Sequence, residues 1–280
     1  MKNLERLAEL ANELPATTKA KASALVQKMG EVIEGIGDKP IQWRPDTLKL
    51  VQATTDRSKL PKGVSPGSIL LGEEVIEQPL EVYPLRTWIS RQMWSKDLEN
   101  ARMICSSPDG EAGFMYGNCK VCPHSKFDEA AGRSDCNKTI TALVSSKDLS
   151  KVFFVNFSKT NYSSGTDWQK LMKNAGVSTY KRAYSIASMT SPKFKNVEIL
   201  KAEPVSSKTE MDAATLSYLG ELFRRASEDR DEHLKSFHEY IDNKKANALL
   251  EAPSEIGVTL LPAIEVETSV EDTPIAGYKL

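Results

Sequence analysis

The sequence predicts an α+β protein in which a small β-barrel or β-sheet core holds an inserted metal-binding module, with helices on either side and an acidic C-terminal tail. Three observations predict it. Apolar residues recur at helical spacing near both ends of the chain, short runs of β-forming residues bounded by Gly and Pro fill the middle, and all four cysteines fall in one segment of that middle. The parts divide at 1–39 (helices), 40–205 (β-rich core, with the metal module at 102–138), 206–250 (helical) and 251–280 (flexible tail).

The first stretch repeats Leu4, Leu7, Leu10, Ala11 and Leu14, then Ala24, Leu25, Met29, Val32, Ile33 and Ile36. That spacing predicts two amphipathic helices, broken at Pro15-Ala16-Thr17 and ended by Gly35, Gly37 and Pro40. Residues 41–71 read as short strands and turns. The stretch 80–94 is a strand in which Pro84 calls for an edge position or a bulge. Residues 140–144 and 151–157 are strand-like, and Phe153, Phe154 and Phe157 are expected in the core. Asp167 is expected to cap a helix from Trp168 to about Ala175, stopped at Gly176. Residues 180–186 and 194–202 alternate as two further strands around Ser191-Pro192. From 210 to 250 helical spacing returns in Leu216, Leu219, Leu222, Phe223, Leu234, Phe237, Tyr240 and Ile241. The last 30 residues carry six acidic residues against one lysine and have little periodicity, which predicts disorder.

No apolar run is long enough to span a bilayer and no signal-peptide layout opens the chain, so a cytoplasmic location is expected, the host cytoplasm if the chain is phage-encoded. The near-zero net charge conceals an asymmetry. Residues 80–205 hold 18 basic against 12 acidic residues, while residues 206–280 hold 8 against 15. A basic body followed by an acidic end points to an anionic partner, with the tail as its competitor or as a second docking element.

The cysteines are spaced Cys105-x13-Cys119-x2-Cys122-x13-Cys136. A Cys-x2-Cys turn aims two thiolates at one centre, and the outer pair completes a tetrahedron, the usual arrangement for structural Zn2+. Gly117-Asn118 and Pro123 suit the sharp turn. An iron–sulfur cluster takes the same four thiolates, and the spacing alone does not separate the two. A redox Cys-x2-Cys pair leaves Cys105 and Cys136 unexplained. His124 is a candidate to replace one thiolate or to lie beside the site. Four thiolates leave no open position, so the metal is expected to hold structure and do no chemistry. No His-x-Glu with Pro-Cys-x2-Cys and no Gly-x-Ser-x-Gly is present, His233 and His238 do not match a zincin helix, and no enzyme is expected.

Basic and aromatic residues interleave around the module, as single-stranded nucleic acid requires: cations track phosphates and rings stack on unpaired bases. The candidate contacts are Arg86, Trp88, Arg91, Trp94, Lys159, Tyr162, Lys181 and Arg182. Strand alternation puts Arg86 and Trp88 on one face and Arg91 on the other.

Arg102-Met103-Ile104-Cys105-Ser106-Ser107-Pro108-Asp109-Gly110, with Gly117-Asn118-Cys119-Lys120-Val121-Cys122-Pro123 and Cys136, resembles the cysteine-cluster proteins of tailed-bacteriophage replication modules. More loosely, residues 80–202 are similar to phage single-stranded-DNA-binding proteins that carry a structural zinc in an OB-like β core and end in an acidic tail. Those proteins use a histidine among their ligands, whereas this chain offers four cysteines. The resemblance implies a non-enzymatic single-stranded-DNA-binding protein of DNA replication or recombination. The amphipathic helices make self-association an expectation, and the apolar end of the acidic tail, Ile275 to Leu280, is expected to dock replication or transcription proteins. The alternative is a zinc-containing protein-interaction or transcription-regulating factor that binds a polymerase or another phage protein.

Overall fold

The computed structural model describes residues 2–30, 32–33, 41–42, 44–95, 102–129, 134–206 and 211–250. The predicted tail therefore lies outside the described residues. The chain separates into two units, Met1–Asp229 and Arg230–Leu280. Of the second, the described part is the continuation of one helix.

The fold is mixed α+β, with a curled, half-barrel sheet and helices packed on both of its faces. α1 (Lys2–Glu13) and α2 (Ala16–Gly30) form a hairpin at Pro15, whose carbonyl accepts from the Thr18 and Lys19 amides. α2 ends earlier than the spacing predicts. The β-branched pair Val32–Ile33 forms a short strand, β1, paired with β2 (Ile41–Gln42), in place of a last helical turn. There follow β3 (Asp46–Leu50), β4 (Ile69–Leu71), β5 (Glu74–Ile76), β6 (Leu80–Trp94), β7 (Met103–Ser107), β8 (Ala112–Gly113), β9 (Gly117–Asn118), β10 (Cys136–Ser146), β11 (Val152–Ser158), α3 (Tyr162–Asn174), β12 (Tyr184–Thr190), β13 (Glu198–Pro204) and α4 (Ala213–Leu250).

Nine strands form the main sheet in the order β13-β12-β6-β10-β11-β3-β4-β5, with β7 also on β6. Only β11 and β3 run parallel. β6 is the spine. Its first residues, Leu80–Val82, pair with β12, and its last, Arg91–Trp94, pair with β7, while β10 runs along the other side. Pro84 sits between those two pairings, and the β6–β10 register slips beside it, at Leu143/Val144. The predicted bulge is present on a central strand, where a missing N–H is tolerated because, among the described residues, no strand pairs with Pro84 on the other flank.

Alternation sorts the sheet's side chains into two cores. Ile140, Ala142 and Val144 of β10 join Phe153, Val155 and Phe157 of β11 under α3, with Trp168 and Met172. On the opposite face, Tyr83, Leu85, Leu143 and Phe154 join Leu7, Leu10, Ala22 and Leu25 of the helical hairpin and Tyr218, Leu219 and Leu222 of α4. Burial on both faces explains why β10 and β11 read as continuous apolar runs. The N-terminal helices thus share a core with the sheet.

α3 starts at Tyr162, and Asp167, the expected cap, lies inside it, paired with Lys170 at 3.1 Å. The early start depends on Gly165. A Cβ there would stand 2.6 Å from Phe157 Cβ, so the helix lies against β11 at a distance only glycine permits. Gly165→Ala should therefore destabilise the protein by about 2 kcal/mol, the scale of an overpacked core. An exposed helical site would show the reverse sign. Urea unfolding checks it, and a neutral or stabilised variant would refute the close approach.

The turn between β10 and β11 is tied to α2 by Lys21 Nζ, which donates to Asp148 Oδ2 at 2.8 Å, while Ser146 Oγ and Ser150 Oγ each donate to Asp148 Oδ1 at 2.7 Å. Burial pushes the Asp148 carboxyl up, but the Lys21 ammonium and the two serines outweigh it and hold it well below the usual carboxylate range. A depressed folded pKa gives stability that is complete above the unfolded value of about 3.9 and is lost as pH falls toward the folded value. The stability gap between wild type and Asp148→Asn should thus be constant near neutrality and close below about pH 4. A gap independent of pH in urea titrations would assign it to packing.

At the far edge, the Gln52 carboxamide donates to Glu198 O (2.9 Å) and accepts from Glu198 N (3.0 Å), and Asn161 Oδ1 accepts from Leu200 N (2.7 Å). These bonds fasten β13 to the loops after β3 and β11. Among the described residues, no helix is long and apolar enough to cross a membrane.

Candidate metal centre and strand-binding residues

The end of β6 positions the cysteines. Cys136 of β10 is in register with Met93 of β6, and Met93 with Cys105 of β7, so the two outer cysteines lie in one cross-strand row on one face. The β8–β9 hairpin folds over that row and supplies the inner pair. Asp109 shapes its entry, since Oδ1 accepts from Ser107 Oγ and from the Glu111 and Ala112 amides at 2.8 to 3.0 Å. Gly117 takes a left-handed φ of 66° at the turn into Asn118, a conformation that glycine admits without strain. Asn118 Oδ1 accepts from Lys120 N, and Ser125 Oγ donates to the carbonyls of Cys119 and Cys122, closing the Cys-x2-Cys loop from beneath.

All four cysteines are buried and free, and all four line one small space of about 10 Å3. That is room for about one water-sized body. A Cβ on Gly113 would stand 3.2 Å from Cys105 Sγ and 3.5 Å from Cys119 Sγ, so the hairpin packs closely on the sulfurs and glycine eases the fit. The Met115 amide donates to Cys105 Sγ at 3.4 Å. Burial pushes the Cys119 and Cys136 thiols up, while Arg91 acts on both in the opposite sense. Yet no group of three or more His, Cys, Asp or Glu among the described residues is arranged to hold a metal ion. The residues fit a thiophilic ion in donor type, shared space and burial, but no ligand cluster is formed. His124 lines the same space, with Nδ1 3.3 Å from Asp135 Oδ2 and its ring 4.7 Å from that of Tyr116.

The eight expected strand contacts are not brought together. Arg86 Nη1 donates to Ser227 O of α4 at 2.7 Å, and Trp88 packs edge-on against Phe154 in the helical core. Arg91, on the opposite face as alternation requires, lines the cysteine space. These three are used inside the fold, and sequence reasoning, which took them as surface residues, missed those roles. Trp94 is 39% exposed at the end of β6. Lys159 is exposed just beyond β11, and Tyr162 opens α3 with its ring 5.3 Å from Lys138 Nζ. Lys138, which sequence reasoning passed over, belongs with this group; its signal was its place two residues after Cys136 in an alternating strand. Lys181 and Arg182 are exposed before β12, whose Tyr184 pairs with Val82. Val82 is some twelve residues from Trp94, roughly 40 Å along β6.

Comparison with protein-family models, curated proteins and solved structures found no match for this chain.

Proposed function

We propose that the protein is a non-enzymatic single-stranded-DNA-binding protein acting in DNA replication or recombination, with a structural zinc ion held by Cys105, Cys119, Cys122 and Cys136. The observation that carries this reading is the sheet end shared by β6, β10 and β11. There lie an exposed Trp94, an exposed Lys159 and the half-buried Lys138–Tyr162 pair, all on or just beyond strands that carry the outer cysteines or pair with those that do. Cations together with an exposed ring suit unpaired bases and their phosphates. A zinc ion in an all-thiolate set would brace that end, and an OB-like strand path on the curled sheet is part of the same proposal. Lys181 and Arg182 would be reached by a longer strand. The acidic tail would compete for these cations.

Fluorescence anisotropy with labelled oligo-dT tests it. Zinc-loaded protein should bind at low salt and prefer single strands to duplex, with the logarithm of affinity falling linearly with the logarithm of salt. No binding at low salt would end the proposal.

One observation favours a second reading, a zinc-containing protein-interaction or transcription factor. Val121 and Phe127 are 72% and 68% exposed on the cysteine module, beside exposed Met115 and Tyr116. Such side chains are a natural contact for another protein. Binding of a purified polymerase without nucleic acid, abolished by Val121→Asp and Phe127→Asp, would establish it.

A further inference from the structure

Arg91 was expected on a strand-binding surface, yet its geometry suits the cysteines. It sits in register between Lys138 of β10 and Ser107 of β7, one row from the Cys136–Met93–Cys105 row and, by alternation, on the same face. Among the described residues lining the cysteine space it is the only permanently charged one; His124 is turned to Asp135. Lys138, its neighbour on that face, has its ammonium over the Tyr162 ring. The Arg91 Nε is buried with no hydrogen-bond partner among the described residues. A buried donor left unused is uncommon and calls for an explanation.

We propose that Arg91 is the buried counter-charge of the cysteine centre, a positioning residue that stabilises the thiolate set and makes no contact with nucleic acid. The inference rests on the metal reading above. Four thiolates around a divalent ion carry a net charge of about −2, and a charge of that size is costly to bury without a partner. Arginine suits the place better than lysine, because its planar fork can face two sulfurs while its charge survives burial. The unused Nε then has a purpose: it is a spare donor held where negative charge gathers once the thiols have lost their protons.

The test uses the full chain and its metal. Metal analysis of reduced wild-type protein comes first. If it carries no metal, the metal reading falls and the role of Arg91 with it. If it carries zinc, affinity is measured by competition with a chromophoric chelator for wild type, R91M, R91K and R91Q, and each zinc-saturated protein is titrated with oligo-dT across a salt series. R91M should hold zinc about 10- to 100-fold more weakly, the usual cost of losing a partner of metal ligands. R91K should recover most of that loss, R91Q little of it, and the salt slope of oligo-dT binding should be the same in all four. Unchanged zinc affinity in R91M would overturn the proposal while leaving the zinc in place. A lowered salt slope with intact zinc affinity would return Arg91 to the strand-binding surface. If R91M does not fold, R91K and R91Q decide the matter, and equal zinc affinities in those two would exclude a role for charge.

Discussion

Cys119→Ser should purify with well under one zinc per chain and lose the fold of its hairpin while keeping that of the main sheet. The asymmetry follows from how the two parts are held. The sheet has two apolar cores, one on each face. The module has Met93, Cys105 and Cys136 with Ile104 and Phe114 packed on them, and a two-residue ladder between β8 and β9. So small a cluster cannot offset the entropy of ordering its loops. In zinc-finger peptides metal binding contributes on the order of 10 kcal/mol, so the loss of a zinc ion held by these cysteines should be decisive. Limited proteolysis should cut the variant between residues 108 and 135, and far-ultraviolet dichroism should stay close to wild type. A variant that resists proteolysis as well as wild type would show that the hairpin stands without metal. Chelation of the wild-type protein should reproduce the effect reversibly.

Trp94→Ala should weaken oligo-dT binding by about 1 to 3 kcal/mol, the range for loss of one base-stacking ring. That is roughly 5- to 150-fold. The salt slope should not move, because a ring carries no charge. Lys159→Ala and Lys138→Ala should each weaken binding less but flatten the slope by about 0.7, the counterion release from one single-strand phosphate. Removing Lys181 and Arg182 together should leave a very short oligonucleotide unaffected and weaken longer ones, because the two groups lie toward opposite ends of β6. Anisotropy across a grid of salt and oligonucleotide length reads all of these. A change of slope in Trp94→Ala, or equal effects of Lys181 and Arg182 at every length, would break the proposed layout.

Much of the fold was legible because strand alternation and helical spacing are local. The strand at 80–94, the bulge beside Pro84, the hairpin around Ser191-Pro192 and the core placement of Phe153, Phe154 and Phe157 all follow from neighbouring residues. What failed depended on distant ones. Thr160-Asn161-Tyr162-Ser163-Ser164-Gly165 has a loop's composition, and only the face of Phe157 shows why a glycine belongs in a helix there. Val32 and Ile33 continue a helical pattern until β2 offers them a partner.

The candidate site divides in the same way. That the four cysteines line one space could be read from their spacing, and that Arg91 opposes Arg86 and Trp88 could be read from parity. Which of those two faces the cysteines share is set by the pairing of β7 and β10 with β6, separated by loops of a length no local rule constrains. Arg86 and Trp88 have surface-like neighbours in sequence and become internal only when α4 and β11 arrive.

The carboxamides on β13 bear on how copies of this chain can meet. An outermost strand normally presents a row of open amides and carbonyls to any other chain that passes. Here Gln52 takes both groups of Glu198, Asn161 takes the Leu200 amide, and the next-but-one outward position is Pro204, which has no amide to offer. If further copies are recruited along a DNA strand, adding sheet to sheet at β13 is therefore disfavoured. Contacts through side chains would be tuned by single surface substitutions without the hazard of runaway fibre growth.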